Sequence, residues 1–194
     1  MTDKTNVKRI PKRGHYDFTT IAEILDADFI CQIGFVHEGY PVVIPTIYGR
    51  KDNELYLHGA NTSRMLVDLQ QGIDLSLNVT LVDGIVLARS GFHHSLNYRS
   101  VVVFGKAILV ESAAEKTVAL EVISEQILKG RWAEVRPVKE KELKATTVLK
   151  ISLDEASAKI RQGGPVDEKE DYDLDIWAGV LPISRQYGTP LPDE

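Results

Sequence analysis

The stretch Phe92–Gly105, FHHSLNYRSVVVFG, decides how the rest of the chain is read, because two kinds of sequence meet in it. Val101, Val102, Val103 and Phe104 are β-branched or aromatic and uncharged, which predicts a buried strand. Directly before them stand His93, His94, Ser95, Asn97, Tyr98, Arg99 and Ser100, a dense set of hydrogen-bonding side chains. One reading is a polar strand entry facing water. The other is the edge of a ligand site, and the surrounding sequence decides between them.

Working outward, the neighbouring segments also read as strands. Phe29–His37, Tyr40–Tyr48 (YPVVIPTIY) and Glu54–His58 form a predicted meander, broken by turns at Glu38-Gly39 and over 49–53. Pro41 and Pro45 restrict the second strand to an edge or to irregular pairing. Segments 73–82 and 85–90 read as a hairpin around Asp83-Gly84. The central strand has sequence to continue as far as Glu111, and Thr146–Leu153 reads as the last strand. Helices are few. Thr20 with Glu23 forms a capping box over Ile21, Ile24 and Leu25, ended by 26–28. Met65, Leu66 and Leu69 mark a short helix stopping at Gly72, and 113–128 has helical spacing up to Gly130. Asp154-Glu155 is expected to open another short helix before Gly163-Gly164-Pro165. Six or seven strands with short turns predict an antiparallel barrel, with an open sandwich as the alternative.

Composition narrows the function. A chain of 194 residues suits one domain or one domain with a tail. The net charge of −5 argues against nucleic acid or an anionic membrane as partner, so any bound anion needs a local cluster. The single Cys31 excludes an internal disulfide and a CxxC motif. No apolar run approaches the ~18 residues of a membrane span, and the polar start MTDKTNVKRIPKRG lacks an apolar signal core, so a cytoplasmic protein is expected. Residues 1–165 are read as the main domain with an N-terminal arm. Residues 166–194 are read as an acidic, then proline-bearing tail whose apolar patch 176–180 docks on the barrel or on a partner subunit.

A second polar cluster stands at 59–64, GANTSR, where a predicted strand passes into a helix. Asn61, Thr62 or Ser63 can cap that helix, but Arg64 falls in its first turn, where a cation is mildly unfavourable. Free N–H groups, a hydroxyl and a guanidinium together compose a phosphate site; the plain alternative is a solvated arginine. If the strands bring the two clusters together, Ser63, Arg64, Arg99 and Ser100 form a two-arginine anion pocket. No glycine-rich dinucleotide fingerprint or P-loop is present. Adjacent His93 and His94 would point to opposite faces of a strand, and no zinc spacing exists, so no metal is assigned. No GxSxG elbow supports a hydrolase. Trp132, Trp177, Tyr16 and Tyr48 read first as packing residues.

The order RGxYD at 13–17, then YPVVIPTIY, LYLHGANTSR, LARSGFHHSLNYRSVVVFG and WAGVLPIS, resembles the pyridoxamine 5′-phosphate oxidase-related flavoproteins, and among them the nitroimidazole-resistance group. The resemblance implies a mainly β (α+β) fold, an antiparallel six-stranded split β-barrel with a few peripheral helices. It further implies a homodimer binding FMN, in some members FAD, at the subunit interface, and acting on a small molecule. By the same resemblance Pro45, Thr46, Ile47 and Tyr48 would line the flavin ring with backbone groups. His58 and Gly59 would pass beside the ribityl chain, and Ser63 and Arg64 would hold the phosphate. Tyr98, Arg99 and Ser100 fall at the cofactor strand, and His93, His94 and Asn97 would face flavin or substrate, with His93 and His94 as catalytic candidates. Met65 replaces a lysine of the oxidases, and their C-terminal arginine-histidine region is not recognisable here. The implied function is a flavin-dependent oxidoreductase, with a non-catalytic flavin or haem carrier as the alternative.

Overall fold

A computed structural model describes residues 2–193. The chain forms two compact units, residues 2–80 with 100–159, and residues 81–99 with 160–193. Two long strands, β5 (Asp74–Leu87) and β6 (Ser95–Lys106), run from one unit into the other.

In the first unit, β1 (Gly14–His15), α1 (Phe18–Asp26), β2 (Ile30–His37), β3 (Tyr40–Lys51), β4 (Glu54–Ala60) and α2 (Arg64–Leu69) precede β5. After β6 come β7 (Ile108–Leu109), α3 (Ala113–Ile127), α4 (Glu140–Ala145), β8 (Thr146–Ser152) and β9 (Ala156–Arg161). The strands follow the order β1-β9-β6-β5-β2-β3-β4-β8-β7. Alternation with a period of two sets the inner face: Cys31, Ile33 and Phe35 on β2, Leu75, Leu77 and Val79 on β5, and Val101 and Val103 on β6 are buried. The β2–β3 turn places Glu38 at φ 48 and Gly39 at φ 84, the paired left-handed conformation of a two-residue hairpin, and locks the register His37↔Tyr40. On another face, Ala119 and Ile123 of α3 pack against Tyr56, Val110 and Val148.

The second unit holds the far half of β5, the near half of β6 and the tail. Its strand β10 (Gly179–Pro182) pairs antiparallel with β5, from Gly179↔Leu87 to Pro182↔Gly84.

Several expectations are corrected. The cap of α1 is Asp17, whose carboxylate accepts the Thr20 N–H at 2.8 Å, so the helix starts a turn before the Thr20/Glu23 box. Residues 49–51 are strand, because Gly49 lets β3 press against α3; a Cβ there would lie 2.7 Å from the Ile123 Cα. Asp83-Gly84 is not a turn but the middle of β5. Gly84 is needed because β10 lies alongside, its Cβ position being 3.0 Å from Val180 Cγ1 and 3.1 Å from the Leu181 carbonyl. The segment 156–161 is strand β9, not helix. Ala, Lys and Arg are good helix formers, but intrinsic propensity is worth only tenths of a kcal/mol per residue, and pairing of β9 between β1 (Gly14↔Lys159, His15↔Ala158) and β6 outweighs it. The central strand ends at Lys106, and Ile108–Leu109 pairs separately with β8. Among the described residues the sheet has ten strands where the sequence predicts six or seven: the 73–90 hairpin is the single strand β5, β9 lies where a helix is expected, and β1, β7 and β10 are too short to leave a periodic signal.

Candidate functional site

Each half of β3 has a different partner. From Tyr40 to Ile47 it pairs with β2, and from Tyr48 to Lys51 with β4. Strand β4 meanwhile keeps its ladder to β8 along its whole length, including His58↔Val148, Gly59↔Thr147 and Ala60↔Thr146. Continuing the Tyr48↔Leu57 register would place Ile47 opposite His58 and Thr46 opposite Gly59, but no such pair forms. The strands diverge there and leave the facing edges of 45–47 and 58–60 unpaired with each other. A notch lined by backbone N–H and C=O groups is the result, at the segments the resemblance assigned to the flavin.

Side chains around the notch are unevenly satisfied. Tyr48 points away from it, fully buried, with its hydroxyl donating to the Leu25 carbonyl, which also accepts from Gln126 Nε2 at 3.0 Å. Only its backbone can serve a ligand. His58 Nδ1 is buried with no hydrogen-bond partner among the described residues, and burial lowers the imidazole's pKa, favouring the neutral ring. Gly59 lets α2 approach, its Cβ position lying 3.0 Å from Leu66 Cδ1. Ser63 caps α2, its N–H donating to the Ala60 carbonyl at 2.9 Å, while its hydroxyl makes no capping bond. Arg64 follows, exposed, at the first position of the helix, with no described hydrogen bond or ion pair. Met65, Leu66 and Leu69 bury the opposite face and fix the direction in which Arg64 projects.

The second polar cluster divides between the units. Ser100 lies in the first, its hydroxyl donating to the Lys159 carbonyl at 3.3 Å. Arg99 lies in the second, where Asp83 takes its Nε at 2.9 Å and Nη2 at 2.7 Å and holds the guanidinium firmly charged. An internal carboxylate thus occupies the fork that was read as an anion ligand. His93 Nε2 lies 3.4 Å from a Glu168 carboxylate oxygen, His94 Nε2 lies 3.2 Å from the Ala88 carbonyl, and Asn97 Oδ1 accepts from Arg161. Tyr98 is half-buried. Of the five histidines, His15 and His58 are the two without a hydrogen bond or ion pair among the described residues.

Sequence reasoning missed the acidic partners. In sequence Asp83 reads as a turn residue, and Asp167 falls in the acidic, loop-rich tail. The Asp167 side chain is 0% exposed and accepts from Arg89 Nη1 at 3.2 Å and from the backbone N–H of Arg89 at 2.9 Å and of Ser90 at 3.4 Å. Arg89 also lies 5.1 Å from the Tyr172 ring centroid, so the start of the tail is stapled to the segment before His93. Burial alone would raise the Asp167 pKa, but the Arg89 side chain and the two N–H donors outweigh it and hold the carboxyl below the usual 3.8. A lowered folded pKa means that its stabilisation is present above 3.8 and is lost as pH falls through the folded value. Amide protection at Arg89 and Ser90 is therefore expected to drop in that acidic window in the wild type. In Asp167→Asn the step should vanish, and an identical pH step in the variant would refute the assignment.

The remaining tail docks by its backbone, β10 on β5, while the Trp177 ring rests over Gly179. A surface cleft of about 630 Å³ beside α3 contains none of these residues; its Arg50 is tied bidentately to Asp26, and Glu125 accepts the Gly130 and Trp132 N–H groups.

A ten-stranded, mainly antiparallel sheet whose third strand divides between two partners defines a split barrel. The pyridoxamine 5′-phosphate oxidase family model matches residues 17–160, and the chain belongs to that family. Among solved structures, the flavocytochrome Anf3 from Azotobacter vinelandii is 40% identical with a TM-score of 0.93, covering 99% of this chain and 89% of that one. An FAD and haem binding protein from Mycobacterium smegmatis is 34% identical with a TM-score of 0.90, covering 93% and 89%. A proposed 5-nitroimidazole antibiotic resistance protein from Bacteroides thetaiotaomicron is 24% identical with a TM-score of 0.64, covering 76% and 86%, a likeness of fold alone. The family expectation therefore holds at the level of the split barrel, while the finer likeness lies more with the first two proteins than with the nitroimidazole-resistance group. No curated protein matches the sequence.

Proposed function

We propose that this chain is a flavin-nucleotide-binding oxidoreductase whose flavin lies in the notch between β3 and β4. The carrying observation is the divergence of the two strands at Ile47 and His58, beside an arginine with no described partner. The residues fit the group. Unpaired backbone edges at 45–47 and 58–60 suit the polar rim of the ring, the orphaned His58 Nδ1 suits a hydroxyl, and Ser63 with Arg64 suits a phosphate. A bound flavin supplies hydride or single-electron transfer. The chain's own part is to hold the ring, exclude water and neutralise the phosphate charge. His93 and His94 stay as substrate-facing candidates, with their ring nitrogens engaged by Glu168 and Ala88.

The likeness to the mycobacterial FAD and haem binding protein favours FAD over FMN, and together with the likeness to the flavocytochrome Anf3 it supports haem as a second group. His58 and His15 are the imidazoles with a nitrogen to offer it. The protein is proposed to work as a homodimer with the flavin at the interface, on a small-molecule substrate. The exposed Val36, Tyr40 and Val43 beside the one-sidedly paired half of β3 support that assembly.

The test is an absorption spectrum of the purified protein followed by mass identification of the released chromophore. Flavin bands with FAD released are expected, and a Soret band in addition would establish the haem. A colourless protein that also refuses added FMN and FAD would overturn the reading.

A further inference from the structure

Arg64 and Asp68 stand four residues apart on α2, so their side chains share one helix face. Side chains on a helix lean toward its N-terminus, which carries the Asp68 carboxylate back over the turn that holds Arg64. A cation and an anion at this spacing ordinarily attract each other into a pair. They do not pair here. Arg64 is exposed, with no hydrogen bond or ion pair among the described residues. Asp68 is taken by another partner, its Oδ2 lying 2.6 Å from His37 Nδ1. A carboxylate only accepts, so that ring nitrogen carries the hydrogen and donates it.

His37 is built to keep this hold. It ends β2, directly before the Glu38-Gly39 turn, and the hairpin fixes its register opposite Tyr40. The His37 and Asp68 side chains are 25% and 22% exposed, so water and salt screen their contact less than they would a pair on the open face of α2. Met65, Leu66 and Leu69 are buried and fix the helix itself. The partner of Asp68 is therefore a choice between two side chains, and the less screened one wins. The consequence falls on any anion that faces Arg64. A carboxylate released from His37 would occupy the guanidinium fork and repel the incoming charge.

We propose that His37 is a positioning residue for the flavin phosphate: by holding Asp68 it keeps the Arg64 guanidinium open to the anion. The inference rests on the reading of Arg64 as a phosphate holder and adds the pair that sets its affinity. His37 acts through Asp68 alone.

The experiment is fluorescence titration of the whole chain, freed of bound flavin, with FMN and with FAD. His37→Ala releases Asp68 onto Arg64 and is expected to weaken binding about two- to fivefold, the scale of one surface charge pair with the added repulsion of the anion. Asp68→Asn keeps the size of the side chain and removes its charge. It should bind flavin at least as tightly as the wild type, both alone and in the His37→Ala background. A merely structural tie predicts a loss in Asp68→Asn, because the same contact is weakened, and this variant leaves the hairpin untouched. In the Arg64→Ala background, His37→Ala should change nothing further. Unaltered or higher affinity in His37→Ala, a loss in Asp68→Asn, no recovery in the double variant, or a further loss in the Arg64→Ala background would each overturn the proposal and leave the notch reading standing. Wild-type affinity in Arg64→Ala would remove the phosphate role of Arg64 and the role of His37 with it. Refusal of both flavins by the wild type would remove the notch reading itself.

Discussion

Arg64→Ala is expected to weaken flavin binding by about 1.5–3 kcal/mol, the scale of a lost charge-assisted hydrogen bond, or roughly 10- to 150-fold in Kd. The reasoning starts from an unfavourable placement. Arg64 stands at the first position of α2, where the helix dipole disfavours a cation, and no described carboxylate compensates it. An anionic ligand turns that cost into attraction. The fold should tolerate the change, because Arg64 is exposed and the buried face of α2 belongs to Met65, Leu66 and Leu69. Arg99→Ala provides the contrast. Its partner is Asp83, so its removal should act on the stability of the segment 81–99 before it acts on flavin affinity. Fluorescence titration of the apoprotein with FAD and FMN measures both variants. An unchanged affinity in Arg64→Ala would remove the phosphate role from this residue.

Gly49→Ala should destabilise the fold by about 1–3 kcal/mol, the usual cost of forcing extra volume into a packed interior. The new methyl would sit 2.7 Å from the Ile123 Cα and N and 2.9 Å from the Val122 carbonyl carbon. These are backbone atoms of α3, which cannot rotate aside, so the helix must shift away from β3. That shift would also loosen Gln126, whose Nε2 holds the Leu25 and Asp28 carbonyls. Gly105→Ala on β6 is the matched control. Its methyl would meet nothing nearer than Ile151 Cγ2 at 4.0 Å, and it should be close to neutral. Urea unfolding of the two variants separates the readings: equal midpoints would show that the Gly49 contact relaxes without cost.

The two glycines show how much of the fold was legible. Both sit in strands and look alike in sequence, and the turn reading assigned to 49–53 was the ordinary inference from Gly followed by charged residues. Gly49 is required by a helix some seventy residues further along the chain. Asp83-Gly84 failed as a hairpin for the same kind of reason, since β10, nearly a hundred residues on, lies against Gly84. The Asp154-Glu155 helix failed because the ladder of 156–161 to β1 outweighs a weak local preference. Of the site, the residue types and the two stretches that carry them were readable. Their partners were not: Asp83 for Arg99, Glu168 for His93 and Arg161 for Asn97 come from distant sequence or from segments read as turn and tail.

Sequence alone determined the long alternating strands, the two-residue turn at Glu38-Gly39, the helix over 113–128 and the position of Arg64 at a helix start. Each rests on periodicity or on a backbone preference local to a few residues. Only the tertiary structure decided where β3 leaves β2 for β4, and with it the notch at Ile47 and His58. A strand's side-chain pattern records which face is buried. It does not record which neighbour completes the backbone hydrogen bonds on each edge, and that choice belongs to the whole sheet.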